Sequence, residues 1–485
     1  MSKLRIGFAI LSARIVSRGL RLCRRGATTL PGRVAIRICP QIISALSQEK
    51  DIIAITGTNG KTTTTHMTTA ILRARGYEVI TNVSGANLAT GIATTLVAGI
   101  QREKKARKAN KKAVYVLETD EAAFAKVCGA LRPKVCVVTN LFRDQLDRYG
   151  ELVHTQNFIA KGLDSCDAKI LLNADDSLVA SLSNQRETRS VFFGMHTESM
   201  YCNSVTNAGN SGVGETTTDA SYCSFCQTKY EYHAKTFGHL GDFFCPKCGY
   251  KRPDLDFSIS YKLPDSPGEK GISDEGFSIT LLHGEEEALV ALPIPGLHNF
   301  YNTMAAVAAC TFFGAQMQED ALNFADCAKA VCEVRPAFGR MEKIEVGNKY
   351  ICLLLVKNPV GLERALSFVS SASDTGAMFL LLNSNDADGK DVSWIWDVDF
   401  ETKTYPEEIF VSGERYGDMF LRLIYADIDK ARLHPKPMRD CAMQIDEALE
   451  VCAEGKCLYI LPNYTAMLAL REILVKRYRL KDFWK

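Results

Sequence analysis

The sequence runs to 485 residues, about three domains at roughly 150 residues each, and its 46% hydrophobic content lets each bury a core, which excludes disorder throughout. Against 58 basic side chains stand 56 acidic ones, so a net charge of +2 speaks against nucleic acid as a partner, and any phosphate binding must be local. Seventeen cysteines are too dilute for a disulfide scaffold and no leader pattern opens the chain, so a reducing, cytoplasmic setting is expected.

The first acidic residue is Glu49; before it come Lys3, Arg5, Arg14, Arg18, Arg21, Arg24, Arg25, Arg33 and Arg37. Residues 1–48 are expected to form a basic segment that packs on or precedes the central domain. Ile6, Ala9, Ile10, Ala13, Ile15 and Leu20 read as one face of a helix, suited either to packing on that domain or to lying on an anionic membrane surface. Arg14, Arg18 and Arg21 interrupt any apolar run near the roughly 18 residues that would span a bilayer, and Thr29-Leu30-Pro31-Gly32 breaks the helix.

From Asp51 short apolar runs alternate with helical lengths: Ile52–Ile55, Glu78–Ile80, Ala113–Leu117, Val135–Val138 and Lys169–Leu172. The alternation predicts a doubly wound α/β domain with a mainly parallel sheet over residues 49–335. Arg102–Lys112 is dense in Lys and Arg without interleaved aromatics and reads as a solvated loop. The Gly, Ser, Thr and Asn-rich stretch 207–220 marks entry to an insertion at about 215–255. A helix is expected over Tyr301–Phe313, and Arg335-Pro336 reads as a hinge into residues 336–485. There apolar runs at Ile351–Val356, Ala377–Leu382, Glu408–Val411 and Cys457–Leu461 predict a smaller α/β domain.

The segment after the first apolar run reads Gly57-Thr58-Asn59-Gly60-Lys61-Thr62 and enters a Thr-rich helix. Glycines let backbone N–H groups turn onto phosphate oxygens, the helix N-terminus adds its positive dipole end, Lys61 supplies a cation, and Thr62 is placed to hold Mg²⁺. Ile55 stands where the longer P-loop pattern has its first glycine, so the loop is a shorter variant.

Cys223-x-x-Cys226 and Cys245-x-x-Cys248 are separated by 18 residues, within the range in which two knuckles close a tetrahedral zinc site. Four thiolates leave the metal no open position, so the expected role is structural, and Gly249 is suited to the positive φ of such a knuckle. A redox dithiol, or His233 or His239 in place of one cysteine, are the alternatives. Farther on, an apolar run ends in a segment from Asn383 to Asp397 containing Asp386, Asp388, Asp391 and two of the three Trp. Acidic residues there sit where open α/β sheets place active sites, or else form a solvated turn.

The loop resembles that of the Mur ligases, and further matches follow in family order. Thr81-Asn82-Val83-Ser84-Gly85-Ala86-Asn87 is similar to the segment after the second strand, and Glu118 stands where a Mg²⁺-binding Glu is expected. Thr139-Asn140 with Asp144-Gln145-Leu146-Asp147 resembles an Asn-x-x-x-Asp-His-Leu-Asp segment, with Gln145 in place of the His. Lys161 matches a position that is carbamylated in many members, or is an ordinary surface lysine. Asn173-Ala174-Asp175-Asp176 follows a strand as the family expects, His298-Asn299 with Asn302 is similar to the adenine-side helix, and Gly339-Arg340 to the segment whose Arg reaches ATP phosphates.

Lys357-Asn358-Pro359 stands where an amino-acid-adding Mur ligase has Asp-x-x-His-x-Pro, which speaks against joining a free amino acid. The zinc ribbon, Lys-Asn-Pro, the Asp386–Asp397 segment and Pro462-Asn463-Tyr464-Thr465 instead resemble the MurT branch of the family. That resemblance implies ATP-dependent amidation of the D-glutamate α-carboxylate in the lipid II stem peptide to D-isoglutamine, through an acyl phosphate. It implies ATP held by Gly57, Thr58, Asn59, Gly60, Lys61, Thr62, Asn299, Asn302 and Arg340, with Lys61 and Glu118 catalytic, Mg²⁺ on Thr62 and Glu118, and structural Zn²⁺ on Cys223, Cys226, Cys245 and Cys248. Ammonia would come from a separate GatD-type glutaminase subunit in a heterodimer, and one of Asp386, Asp388 and Asp391 would complete its triad. A lipid-linked acceptor places the expected site of action at the inner face of the plasma membrane, with peripheral contact. An amino-acid-adding Mur or folylpolyglutamate-type ligase, and a non-catalytic nucleotide-binding scaffold, are the competing readings.

Overall fold

Runs of Ile, Val and Leu buried on both faces favour parallel strands covered by helices, and the first domain is built that way. The computed structural model describes residues 3–22, 28–82, 85–143, 152–202, 220–261, 277–292, 297–334, 340–386 and 388–478. The chain folds as two compact units, one drawn from residues up to Arg335 and the other holding Pro336–Lys485.

In the first unit, strands β1 (Asp51–Thr56), β2 (Glu78–Thr81), β3 (Ala113–Glu118), β4 (Val135–Val138), β5 (Lys169–Asn173) and β6 (Ser190–Met195) run parallel. Strands β7 (Tyr201–Cys202), β8 (Glu231–Phe237) and β9 (Leu240–Phe244) form a separate antiparallel sheet. Strand β10 (Phe257–Ser260) joins β6 in parallel, and β11 (Phe277–His283) and β12 (Glu286–Leu292) add an antiparallel hairpin. Among the described residues the main sheet has nine strands in the order β12-β11-β10-β6-β5-β4-β1-β3-β2. All five strands expected before residue 175 form. The hairpin was not expected, since β12 opens with two glutamates and then alternates exposed with buried residues as an edge strand does.

Helices α1 (Lys3–Leu22), α2 (Leu30–Ile38), α3 (Ile42–Ser47), α4 (Lys61–Ala74), α5 (Ala89–Lys108) and α6 (Glu121–Leu131) precede β4. The expected face of α1 is corrected in part. Ala9 and Ala13 are fully buried with Ala35, Cys39 and Ile42, but Ile15 is 60% exposed and Leu20 only half-buried. The alanine pair sets the packed face because small side chains let helices approach closely. The solvated loop expected at Arg102–Lys112 is also corrected, since α5 continues through Lys108. Lys, Arg, Glu and Ala are good helix formers, cations suit a helix C-terminus, and Arg102 Nε donates to Glu78 Oε1 at 2.7 Å.

The second unit pairs β13 (Arg340–Val346) antiparallel with β14 (Lys349–Leu354), then continues in parallel through β15 (Thr375–Leu381), β16 (Ile409–Ser412), β17 (Leu433–Pro435) and β18 (Cys457–Pro462). The order is β13-β14-β18-β15-β16-β17, with apolar clusters on both faces.

Candidate functional site

The carboxyl ends of β1, β3, β4 and β5 share one edge of the first sheet, where open α/β folds place ligands. Between β1 and α4 the loop turns at Gly57 (φ 121°) and Gly60 (φ 83°). A Cβ at Gly60 would stand 2.0 Å from Asn302 Oδ1, and one at Gly57 2.4 Å from Thr139 Oγ1, so close packing as well as φ requires glycine. Asn140 clamps the loop from both sides, its Oδ1 accepting from Asn59 N at 2.9 Å and its Nδ2 donating to Asn59 O at 3.1 Å. Thr58 N donates to Asn140 O at 2.8 Å and Thr139 Oγ1 to Asn59 O at 2.8 Å. These bonds fix the loop's shape before any ligand arrives.

Lys61 is buried. Its Nζ donates to Glu121 Oε1 at 2.8 Å and to the carbonyls of Gly57 and Thr58. Thr62 is half-buried in the first turn of α4. Glu118 is buried at the end of β3: Asn82 Oδ1 accepts from its N–H at 3.0 Å, Asn82 Nδ2 donates to its carbonyl at 3.0 Å, and Asn87 Nδ2 donates to Oε1 at 3.3 Å. Glu121 was not singled out in the sequence as a site residue. Its position three residues past Glu118, at the start of α6 after the capping Asp120, was the available signal.

Helix Leu297–Met317 packs on α4, with Thr64 Oγ1 donating to Asn302 Oδ1 at 3.4 Å and Asn302 Nδ2 to Asn299 Oδ1 at 3.2 Å. The structure thus brings Asn302 against the phosphate-type loop. Asp175 and Asp176 are fully buried. Asp176 Oδ2 accepts from Leu141 N at 2.7 Å, while Asp175 pairs with Arg252 at 2.7 Å and accepts from Tyr301 Oη at 2.5 Å and Met195 N at 2.8 Å. Burial pushes the Asp175 carboxyl above its ordinary range despite the Arg252 charge, and pushes up the Tyr301 phenol. Lys161 is exposed on helix Leu152–Asp164. Residues 144–147, Val83, Ser84 and Gly339 lie outside the described residues, and Arg340 opens β13.

The four cysteines of the insertion converge, with Cys223 Sγ 3.5 Å from Cys248 Sγ and Cys226 Sγ 3.4 Å from Cys245 Sγ. Gln227 N donates to Cys223 O at 2.9 Å and Gly249 N to Cys245 O at 3.0 Å, so each pair closes its own knuckle, and Gly249 has φ 75°. His233 stacks on Phe244 and His239 is buried 3.3 Å from Asp176, so neither ring displaces a cysteine from the cluster.

In the second unit the three motif segments meet at the carboxyl edge of the sheet. Val356 N donates to Pro462 O at 2.9 Å, and Asn358 caps helix Pro359–Ser371 by accepting from Gly361 N at 2.8 Å. Asn463 and Asn383 exchange bonds of 3.1 and 2.7 Å, and Asn383 and Asn385 both donate to Thr465 Oγ1, at 3.1 and 3.0 Å. The three aspartates separate. Asp388 is buried and accepts from Thr465 N at 2.8 Å, from the Thr465 hydroxyl, and from Asn385 N at 3.2 Å. Asp386 is exposed beside Lys390 at 2.9 Å. Asp391 is exposed yet oriented, accepting from Ser393 N at 2.8 Å and Ser393 Oγ at 2.9 Å, and those bonds hold its carboxyl below the ordinary range. Arg422 was missed in the sequence. It lies buried beneath the Trp394–Trp396 turn, donating to Ile395 O at 3.2 Å, Val398 O at 2.6 Å and both Glu401 oxygens.

A family model described as the Mur ligase middle domain matches residues 55–243, and one described as MurT ligase C-terminal matches residues 355–467. The MurT subunit of lipid II isoglutaminyl synthase (glutamine-hydrolyzing) from Streptococcus pneumoniae is 36% identical over 457 residues, covering 93% of each chain. The chain belongs to the MurT family. The MurT subunit of the same name from Staphylococcus aureus is 29% identical, covering 97% of this chain and 98% of its own. Among structures, a pseudomurein peptide ligase type C from Methanothermus fervidus overlays with TM-score 0.63 at 21% identity, covering 90% of this chain and 81% of that one. MurF ligase from Thermotoga maritima in complex with ADP overlays with TM-score 0.57 at 11% identity, over 92% of this chain and 84% of that one. These overlays show that the MurT-family chain has a Mur ligase-like α/β fold.

Proposed function

We propose that this chain is the synthetase subunit of a lipid II isoglutaminyl synthase, amidating the α-carboxylate of D-glutamate in the lipid II stem peptide. The observation that carries the reading is the 36% identity to a MurT subunit across 93% of both chains. A carboxylate oxygen of the acceptor would attack the γ-phosphorus of ATP, releasing ADP and leaving an acyl phosphate. Ammonia would then attack the acyl carbon, and phosphate would leave with the carboxylate's oxygen.

The loop amides of Gly57–Gly60 and the N-terminus of α4 would cradle phosphates, with Lys61 exchanging Glu121 for a phosphoryl oxygen and Arg340 supplying a second cation. Asn299 and Asn302 would meet the adenine side. The buried Glu118 carboxylate and the Thr62 hydroxyl would offer hard oxygen ligands for Mg²⁺, which would supply positive charge against the phosphates. The four converged thiols suit Zn²⁺, because a tetrahedral site with metal–sulfur bonds of about 2.3 Å puts its sulfurs about 3.8 Å apart. That zinc would be structural, the insertion being a ribbon at about residues 215–255 of a domain spanning 49–335, between a basic segment (1–48) and a C-terminal domain (336–485).

The name of the relatives as glutamine-hydrolyzing subunits supports a glutaminase partner of the GatD type, which would deliver ammonia. Of the acidic residues in the turn, Asp388 is committed to holding Thr465, whereas Asp391 is exposed and pre-oriented, the condition for orienting a partner's catalytic His. Because the acceptor is lipid-linked, the chain would work at the inner face of the plasma membrane. Incubating the chain with lipid II, ATP, Mg²⁺ and ammonium and weighing the product tests the reading. Amidated lipid II formed in step with phosphate release is expected, and ATP hydrolysis without amide would reject it.

A further inference from the structure

Helix α1 has a second face. Leu4, Phe8, Leu11, Ile15 and Leu22 are 84%, 61%, 56%, 60% and 86% exposed. At about 100° per residue they fall within roughly 60° of one another around the axis. Ala9 and Ala13 lie on the opposite side and are fully buried, with Ile6 and Ile10 half-buried beside them, so five large apolar residues of α1 are left facing solvent. An amphipathic helix packed only for stability does the reverse. The stripe is therefore an apolar surface that the first unit does not use for its own core.

Charge decides what covers it. Exposed Lys3 and Arg18 and half-exposed Arg14 follow one margin of the stripe, Arg5 stands beyond the other, and no acidic residue occurs before Glu49. A protein groove would be satisfied by the apolar stripe alone, whereas cations along its margin in a segment that carries no acid before Glu49 match the phosphates that border an acyl layer. Among the described residues no helix is long and apolar enough to cross a membrane, so α1 is suited to lie in the surface rather than span it.

We propose that α1 docks on an anionic phospholipid surface, its Leu4–Phe8–Leu11–Ile15–Leu22 stripe entering the headgroup boundary while Lys3, Arg14 and Arg18 engage lipid phosphates. The proposal rests on the function above only in that a lipid-linked acceptor gives the chain a reason to be held there. Docking confines enzyme and acceptor to the same surface and raises their encounter frequency, without placing any α1 residue in the chemistry.

The test is sedimentation of the full chain with vesicles of equal parts phosphatidylglycerol and phosphatidylcholine, and with phosphatidylcholine alone. Wild type should sediment with the anionic vesicles, less at high salt, and weakly with the neutral ones. Phe8→Ser with Leu11→Ser should lower the anionic partition at least tenfold, and Arg14→Glu with Arg18→Glu should abolish the preference for phosphatidylglycerol. Thermal unfolding should be little changed in both, since Phe8, Leu11 and Arg18 are exposed and Arg14 is half-exposed. In detergent solution the Phe8→Ser, Leu11→Ser variant should amidate lipid II as fast as wild type. Failure of wild type in that detergent assay would reject the proposed function and leave the docking surface standing. Wild type that ignores anionic vesicles, or the apolar variant binding them like wild type, would overturn the docking surface. Loss of a protein partner from the variant with vesicle binding intact would also overturn it, by assigning the stripe to that partner.

Discussion

The Lys61 Nζ stands 2.8 Å from Glu121 Oε1, with both side chains nearly buried. A loop shaped to receive phosphate thus holds its cation on an internal carboxylate, and binding ATP means exchanging one anion for another. Lys61→Ala should abolish ATP-dependent turnover and also cost about 3 kcal/mol of stability, because Glu121 loses its charge partner inside the fold. Adding Glu121→Gln to that variant should restore most of the melting temperature without restoring turnover. Glu121→Gln alone should tighten ATP binding, measured by calorimetry, since the competing carboxylate is gone. Unchanged or weaker ATP affinity in the single Gln variant would show that Glu121 positions Lys61 rather than competing for it.

The cysteine cluster should carry about one zinc per chain. Its removal should reach beyond the insertion, because β8 is bonded to Tyr301 and β9 to Asp175: Thr236 Oγ1 lies 3.1 Å from Tyr301 Oη, and Gly241 N donates to Asp175 O at 2.9 Å. Cys245→Ser should lower the melting temperature and raise the KM for ATP more than it lowers kcat, since helix Leu297–Met317 carries Tyr301 together with Asn299 and Asn302, the asparagines proposed for the adenine side. A metal-free chain with wild-type melting and ATP affinity would contradict this.

The acidic turn should divide by residue. Asp388→Asn should damage amidation with glutamine and with ammonium alike, because the buried carboxylate is what holds Thr465 and the loop after β15. Asp391→Asn should cut the glutamine-dependent rate at least tenfold more than the ammonium-dependent one, since external ammonia would bypass the proposed partner's triad. Asp386→Asn should do little, its exposed pair with Lys390 being a weak one. Equal losses with both nitrogen sources in the Asp391 variant would remove it as the shared triad acid.

Hydrogen bonds from Arg422 hold the Glu401 carboxyl below the ordinary glutamate range. A carboxylate whose folded pKa lies below its unfolded value adds stability above the ordinary range and loses it as pH falls toward the lowered one. The melting-temperature gap between wild type and Glu401→Gln should therefore be present at pH 7 and close below about pH 4. Half the Glu401 side chain is exposed, so the gap should be small. Arg422→Met should cost more, because it also leaves Ile395 O and Val398 O without their donor beneath the tryptophan turn.

What was legible in the sequence was what local pattern encodes. Apolar runs bounded by helical lengths gave the parallel strands, Gly57-Thr58-Asn59-Gly60-Lys61-Thr62 gave a loop between strand and helix, and the Cys-x-x-Cys spacing gave a converged cluster. Pairings between residues far apart in the chain were not legible. Glu121 meets Lys61 across 60 positions, and Arg422 reaches back 27 residues to Ile395, with nothing local in either segment to mark the partner. At Arg102–Lys112 the charge density suggests a solvated loop, yet those residue types extend a helix through Lys108 whose last turn favours cations. On α1 the apolar pattern places Ile15 on the same face as Ile6, Ala9, Ile10 and Ala13, whereas packing keeps those four against the core and leaves Ile15 to solvent.

The central claim, activation of the acceptor by phosphoryl transfer, is tested most directly with lipid II carrying oxygen-18 in the D-glutamate α-carboxylate. With ATP, Mg²⁺ and ammonium, each amide formed should send one labelled oxygen into inorganic phosphate, because the carboxylate oxygen that attacks the γ-phosphorus leaves with it. Label in AMP would mean an acyl adenylate, and amide formed with no label in phosphate would mean that no acyl phosphate intervenes.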